Sequence, residues 1–265
     1  SLAFSGIFWT AVDTYGRQAI QFIVSIVLAR LLLPEDFALI AVVMVFIASA
    51  NTVVDCGMDA ALIQKRIITV EDENTVFYTN IVIALAVYAI LWFGAFHVAT
   101  FYAMPSLKVL LRTLSAGIVI NSLGKIHTTL IRKRLDFRKL FYRSAIAIPI
   151  SGALGIAAAY KGFGVWSLVI QYLSNSFISM VCYWKATQWH PKWMFSTDSF
   201  RTLFGYGSRQ VGAGLLNTIF NYIYDIVIAK LFSPATLGYY SRASHLQKFV
   251  TNNITVIPYQ VAFPL

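Results

Sequence analysis

At 265 residues, 58% of them hydrophobic and 12% charged, with a net charge of +10, the chain carries half the charged residues of a soluble domain. With a mean hydropathy of +0.68, that composition excludes an ordinary water-soluble enzyme or binding module. Its apolar runs are continuous rather than alternating, so they are predicted to cross a bilayer as helices, where backbone groups find no water and must bond internally.

Eight spans follow in chain order, at 7–33, 38–63, 74–101, 107–131, 140–160, 164–186, 203–232 and 236–262. The eighth is polar in its first half (Ser241, Arg242, Ser244, His245, Gln247, Lys248) and is included because of a repeat described below. Cys56 and Cys182 fall within spans, and His97, His127, His190 and His245 are scattered. Neither set has the spacing of a disulfide framework, a metal site or a catalytic motif, so no metal, cofactor or catalytic residue is expected.

Lysine and arginine set the orientation, since they accumulate on the cytoplasmic side. One set of alternate loops holds eleven of them, Lys65, Arg66, six between Arg132 and Arg143, Lys185, Lys192 and Arg201; the other holds Arg30, Lys108, Lys161 and Lys230. The N-terminus is therefore expected inside. The run Arg132–Arg143 reads as a topology determinant rather than a nucleic-acid patch, so nucleic acid is not an expected partner.

An internal repeat appears at an offset of 200: Ile23, Ile26, Val27, Ala29, Leu31 and Pro34 recur as Ile223, Ile226, Val227, Ala229, Leu231 and Pro234, six identities in twelve gapless positions. With six spans before it restarts, both copies begin on one side, a parallel repeat. The predicted fold is an all-α polytopic membrane protein of two six-helix lobes. Residues 1–186 form the N-terminal lobe, 187–202 a cytoplasmic inter-lobe linker, and 203–265 the start of the C-terminal lobe, so that the sequence reads as a fragment ending early in that lobe.

Six basic residues, Arg17, Arg112, Lys125, Arg209, Arg242 and Lys248, and four acids, Asp13, Asp55, Asp59 and Asp225, lie inside spans. Each charge costs about 2.5–3.5 kcal/mol at a helix centre, so they must face one another or water. On the first span Thr10, Asp13, Thr14, Arg17, Gln18, Gln21 and Ser25 share one face; on the seventh Gln210, Gly214, Asn217, Thr218, Asn221, Tyr224 and Asp225 do the same. Such stripes on equivalent helices suit the wall of a hydrated cavity better than interhelical hydrogen bonding alone. Asp13 and Arg17 stand at i, i+4, a spacing that serves mutual neutralisation as well as substrate contact. Asn51, Asp55 and Asp59 form a line on the second span, and Ser151 and Gly155 read as a small-residue helix contact. The basic surplus favours an anion, with phosphate or pyrophosphate suited to arginine. The expected anion-cavity residues are Arg17, Gln18, Gln21, Lys125, Asn217, Asn221, Arg242 and Lys248; Asp13, Asp55 and Asp225 are candidates for ion coupling.

Several motifs then carry a resemblance: Trp9 with Arg17-Gln18 and Gln21-Phe22; Leu32-Leu33-Pro34-Glu35-Asp36-Phe37; Asp55-Cys56-Gly57 leading to Ala60-Ala61-Leu62-Ile63-Gln64-Lys65; Arg134-Leu135-Asp136-Phe137. Gly162-Phe163-Gly164-Val165-Trp166-Ser167-Leu168 and Leu237-Gly238-Tyr239-Tyr240-Ser241-Arg242-Ala243 complete the set. Together they resemble the polysaccharide transporter family, the Wzx-type lipopolysaccharide and capsule flippases of the multidrug/oligosaccharidyl-lipid/polysaccharide superfamily. Ala38 replaces the glycine expected after Pro-x-Asp-Phe, and Ser241 stands where asparagine is common. The resemblance implies a bacterial cytoplasmic-membrane transporter that moves undecaprenyl-pyrophosphate-linked oligosaccharide between leaflets by alternating access. Implied partners are that lipid-linked oligosaccharide, the bilayer, and glycan polymerase or glycosyltransferases of the same pathway. Two alternatives stay open: a multidrug or cation extruder of the same superfamily, which would favour an acidic cavity, and a membrane-embedded glycan polymerase or transferase, which would need a large polar loop.

Overall fold

A computed structural model of the chain describes residues 2–244 and 246–247. Among these residues only helices and their connections occur: α1 (Leu2–Leu31), α2 (Pro34–Asp55), α3 (Met58–Gln64), α4 (Val70–Phe101), α5 (Ser106–Lys133), α6 (Phe137–Tyr160), α7 (Trp166–Thr187) and α8 (Thr197–Leu231). A further helical segment, α9, runs over 234–247, with residue 245 outside the description. The expected spans map onto these helices in order, except that the second divides into α2 and α3, and the end of the eighth, with His245 and Lys248, lies outside the described residues. The side chains of Arg209 and Gln210 lie outside them too.

Local sequence sets the ends. Pro34 opens α2, where its missing N–H costs nothing, and the Asp36 carboxylate accepts the Leu33 N–H at 3.2 Å. Thr69 and Asp72 cap α4 reciprocally: the Thr69 hydroxyl accepts the Asp72 N–H at 3.2 Å and the Asp72 carboxylate accepts the Thr69 N–H at 3.0 Å. Cys56 (φ 40°) and Gly57 (φ 62°) take left-handed conformations that interrupt the second span. Asn51, Asp55 and Asp59 therefore do not run along one continuous helix. The reason is partly tertiary: a Cβ on Gly57 would stand 2.5 Å from Gly207 Cα, so the break is where α8 comes backbone to backbone against the chain.

Among the described residues, five segments are long and apolar enough to cross a membrane: α2, α4, α5, α6 and 211–231 of α8. The spans expected at α1 and α7 do not reach that apolarity, although the 22 residues of α7 make about 33 Å of helix. On α7 the cause is Gln171, Asn175, Ser176 and Ser179, which face an internal cavity instead of lipid. Outward surfaces are apolar, with Val82, Leu85, Ile90 and Phe93 exposed on α4, and Ile146, Ile150 and Leu154 exposed on α6. Water does not solvate a face of that kind; lipid does.

Inside, α5 is the central element. Leu107, Leu110, Leu111, Leu114 and Ile118 are fully buried against α2 and α4, and Ile126 and Leu130 pack with Met58, Leu62, Phe77 and Leu203. Small residues admit the close crossings. Val24 of α1 fills the space over Gly152 of α6, Tyr172 of α7 lies over Gly117 of α5, and Gln171 lies over Gly155. Ser151 accepts a hydrogen bond from Asn175 at 3.2 Å, so the small-residue face of α6 is a helix contact, as read from the sequence.

The segment between α7 and α8 is bound down. Trp189 Nε1 donates to Glu73 Oε2 at 2.7 Å, Lys192 N–H to Asn74 Oδ1 at 2.6 Å, and Ser196 N–H to Thr75 Oγ1 at 3.0 Å. Rings of Phe77, His127, Trp184 and Trp189 pack beneath it. The connection over 187–202 is thus held on the first turns of α4.

Candidate functional site

Where α1, α2, α3, α5, α6, α7 and α8 converge, they line a half-open cavity of about 890 Å³. From α5 it receives Asn121, Lys125, Thr128, Thr129 and Arg132, and from α7 the amides and hydroxyls of Gln171, Tyr172, Asn175, Ser176 and Ser179. Arg143 of α6, Gln21 of α1, Asp55 of α2 and Asp59 of α3 complete the polar lining, while Ile40, Met44 and Leu168 form its apolar part. Three cations thus meet two carboxylates. Of the basic residues that the sequence places inside spans, only Lys125 is among them; the surplus comes from Arg132 and Arg143, of the run read as a topology determinant.

Lys125 sits at the charge centre. Its ammonium pairs with Asp55 and lies 3.6 Å from Asp59 Oδ2; Asp59 also accepts the Thr129 hydroxyl at 3.0 Å. Arg143 donates from Nε to the Tyr183 hydroxyl at 2.8 Å, with its guanidinium 5.1 Å from the ring centroid, which holds it in place without neutralising it. Arg132 is exposed at the rim. Thr52 and Thr218 meet at 3.1 Å where α2 crosses α8.

The sequence-predicted residues divide. Gln21, Lys125 and Asp55 line the cavity. Asp13, Arg17 and Gln18 are half-buried on α1 and do not, nor do Asn217 and Asn221, exposed on α8, or Asp225, buried on the same helix. Arg242 is committed elsewhere: it donates to the Leu32 carbonyl at 2.8 Å and stacks 4.1 Å over the Phe37 ring, binding α9 to the α1–α2 turn. Arg112, another of the in-span basic residues, donates to the Trp92 carbonyl at 3.0 Å and stacks on its ring.

Sequence reading missed two cations and one wall. Arg132 and Arg143 belong to the run assigned to topology, and their position at the cavity depends on where α5 and α6 enter the bundle. The α7 wall was legible: Gln171, Asn175 and Ser179 recur every four residues, one face of a helix.

The fold and this site define a multi-pass helical membrane protein built around a polar, net-positive interior cavity. The chain belongs to the polysaccharide biosynthesis protein family, whose pattern it matches over residues 27–265. It is 25% identical to the succinoglycan biosynthesis transport protein ExoT of Rhizobium meliloti (strain 1021), over 97% of this chain and 52% of that protein. It is 25% identical to the teichuronic acid biosynthesis protein TuaB of Bacillus subtilis (strain 168), over 98% of this chain and 54% of the relative. To the lipopolysaccharide biosynthesis protein WzxC of Escherichia coli (strain K12) it is 23% identical, over 98% and 53%. The chain thus spans about half the length of the curated relatives it matches. No solved structure matches it.

Proposed function

We propose that this chain forms the N-terminal lobe and the opening of the C-terminal lobe of a flippase for undecaprenyl-pyrophosphate-linked oligosaccharide, working by alternating access in the bacterial cytoplasmic membrane. The carrying observation is the cavity's chemistry: Lys125, Arg132 and Arg143 outnumber Asp55 and Asp59, beside a wall of amides and hydroxyls. Arginine and lysine suit a pyrophosphate, and Gln171, Asn175 and Ser179 suit sugar hydroxyls. Family membership and a relative named as a transport protein support the same reading. The net-positive lining disfavours a cation extruder. The relative named as a transport protein favours a carrier over a polymerase or transferase, and polymerase and glycosyltransferases remain the proposed pathway partners.

Two further parts of the reading rest on pattern. Eleven loop cations against four favour an N-terminus inside. The two-lobe repeat is supported by equivalent turns: the Leu32 N–H donates to Leu28 O at 2.9 Å before Pro34, and the Phe232 N–H to Ile228 O at 3.0 Å before Pro234.

The experiment is surface glycan in a deletion strain complemented with full-length protein. Lys125→Glu and Arg143→Glu should abolish it while membrane levels stay unchanged. Normal surface polysaccharide from both would refute the anion-cavity reading. Purified protein incubated with the lipid-linked oligosaccharide should bind it without altering it; a chemically changed glycan would favour the enzyme.

A further inference from the structure

The seven-residue α3 is held by one face of α5, at residues spaced four apart. Lys125 reaches both Asp55, the last residue of α2, and Asp59, in the first turn of α3, across the Cys56–Gly57 break. One turn on, Thr129 donates to Asp59 at 3.0 Å. One turn further, Lys133 Nζ donates to the carbonyls of Leu62 (3.2 Å) and Ile63 (3.1 Å), and to that of Lys65, at the other end of α3. The α8 side of the break is the backbone contact of Gly57 with Gly207. A short helix is thereby clamped between α5 and α8, and its Lys125 end lies in the cavity whereas Lys133 does not line it.

We propose that Lys125 is a latch on α3: an anionic group entering the cavity competes with Asp55 and Asp59 for its ammonium, releases the break, and lets α3 pivot about its Lys133-held end away from α8. The two carboxylates are a built-in stand-in for the ligand's charge. Their competition makes release conditional on an anion, because a neutral or cationic molecule offers Lys125 nothing in exchange. The anion's identity as a pyrophosphate rests on the function proposed above; the clamp itself does not.

Cys56 is the internal reporter. It is buried at the break, with its thiol bonded to the Val53 carbonyl at 2.7 Å, so a thiol reagent reaches it only when the break opens. Full-length protein in membrane vesicles, with Cys56 as the sole cysteine, is labelled with maleimide with and without inorganic pyrophosphate. Asp55→Asn and Lys125→Gln should each raise the rate about tenfold, the effect of a 1.4 kcal/mol shift in the opening equilibrium. Removing a carboxylate and removing an ammonium act oppositely on intrinsic thiol acidity, so a rise in both reads opening. The exchanged pair, Asp55→Lys with Lys125→Asp, rebuilds the 55–125 contact though not the one to Asp59, so it should label more slowly than either single variant, which a misfolded protein would not. Pyrophosphate should accelerate the wild type and leave Lys125→Gln unchanged. Wild-type rates in both single variants would overturn the latch and leave the proposed function standing. Fast single variants with no response to pyrophosphate anywhere would overturn the anion-driven release and the pyrophosphate reading, leaving only the clamp.

Discussion

The backbone contact between the α2–α3 break and α8 gives a quantitative prediction for Gly57→Ala. Its new Cβ would stand 2.5 Å from Gly207 Cα and 2.7 Å from Gly207 O, with no flexible side chain to yield. The residue also keeps φ near +62°, a left-handed conformation that costs an alanine roughly 1–2 kcal/mol. Overpacking at a close contact adds about 1–3 kcal/mol, so Gly57→Ala is expected to destabilise by roughly 2–5 kcal/mol. Gly94→Ala is the matched control, because nothing lies within 4 Å of its added Cβ and the helix gains up to about 1 kcal/mol. Thermal unfolding of both variants in one detergent, followed by circular dichroism, should show the midpoint falling for Gly57→Ala and holding or rising for Gly94→Ala. Equal midpoints would refute the close approach and with it the packing account of the break.

Gly152→Leu should destabilise by about 1–3 kcal/mol in the same assay, since even a Cβ there would stand 2.6 Å from Val24 Cγ2 and force α1 off α6. Trp189→Phe keeps the ring packing but removes the 2.7 Å bond to Glu73, a loss of about 1.5–3 kcal/mol for a bond to a charged group. Faster protease cleavage between α7 and α8 is its readout. Arg143→Lys should weaken pyrophosphate binding about tenfold, measured by titration of the purified full-length protein, because lysine loses the planar fork and the stacking on Tyr183.

Much of the helical order was legible because it is local. A span must satisfy its own backbone in lipid, so a long apolar run announces a helix whatever it packs against. Pro34 and the Thr69–Asp72 capping pair fix helix starts within a few residues of sequence. The division of the second span was not legible as such: Asp55-Cys56-Gly57 carries a glycine, but the reason for the break, Gly207, lies on another helix.

For the cavity, local pattern named residue types and tertiary structure chose among them. Polar side chains at bilayer depth must find partners, so the sequence alone determined that such groups need shelter; that Gln21, Lys125 and Asp55, rather than Arg17 or Arg242, line the cavity was decided by the tertiary structure. Which cations share that space depends on how helices are rotated and where they cross, and those are set by distant pairs of small and large residues such as Gly117 with Tyr172. Arg143, read as an orientation signal, reaches the cavity because α6 enters beside α7; Arg242, read as a ligand, is spent on the Leu32 carbonyl because α9 crosses the α1–α2 turn. Hydropathy fixes how many polar groups must be sheltered, since that cost is paid residue by residue. Their grouping is a property of contacts between helices, and no single stretch of chain contains it.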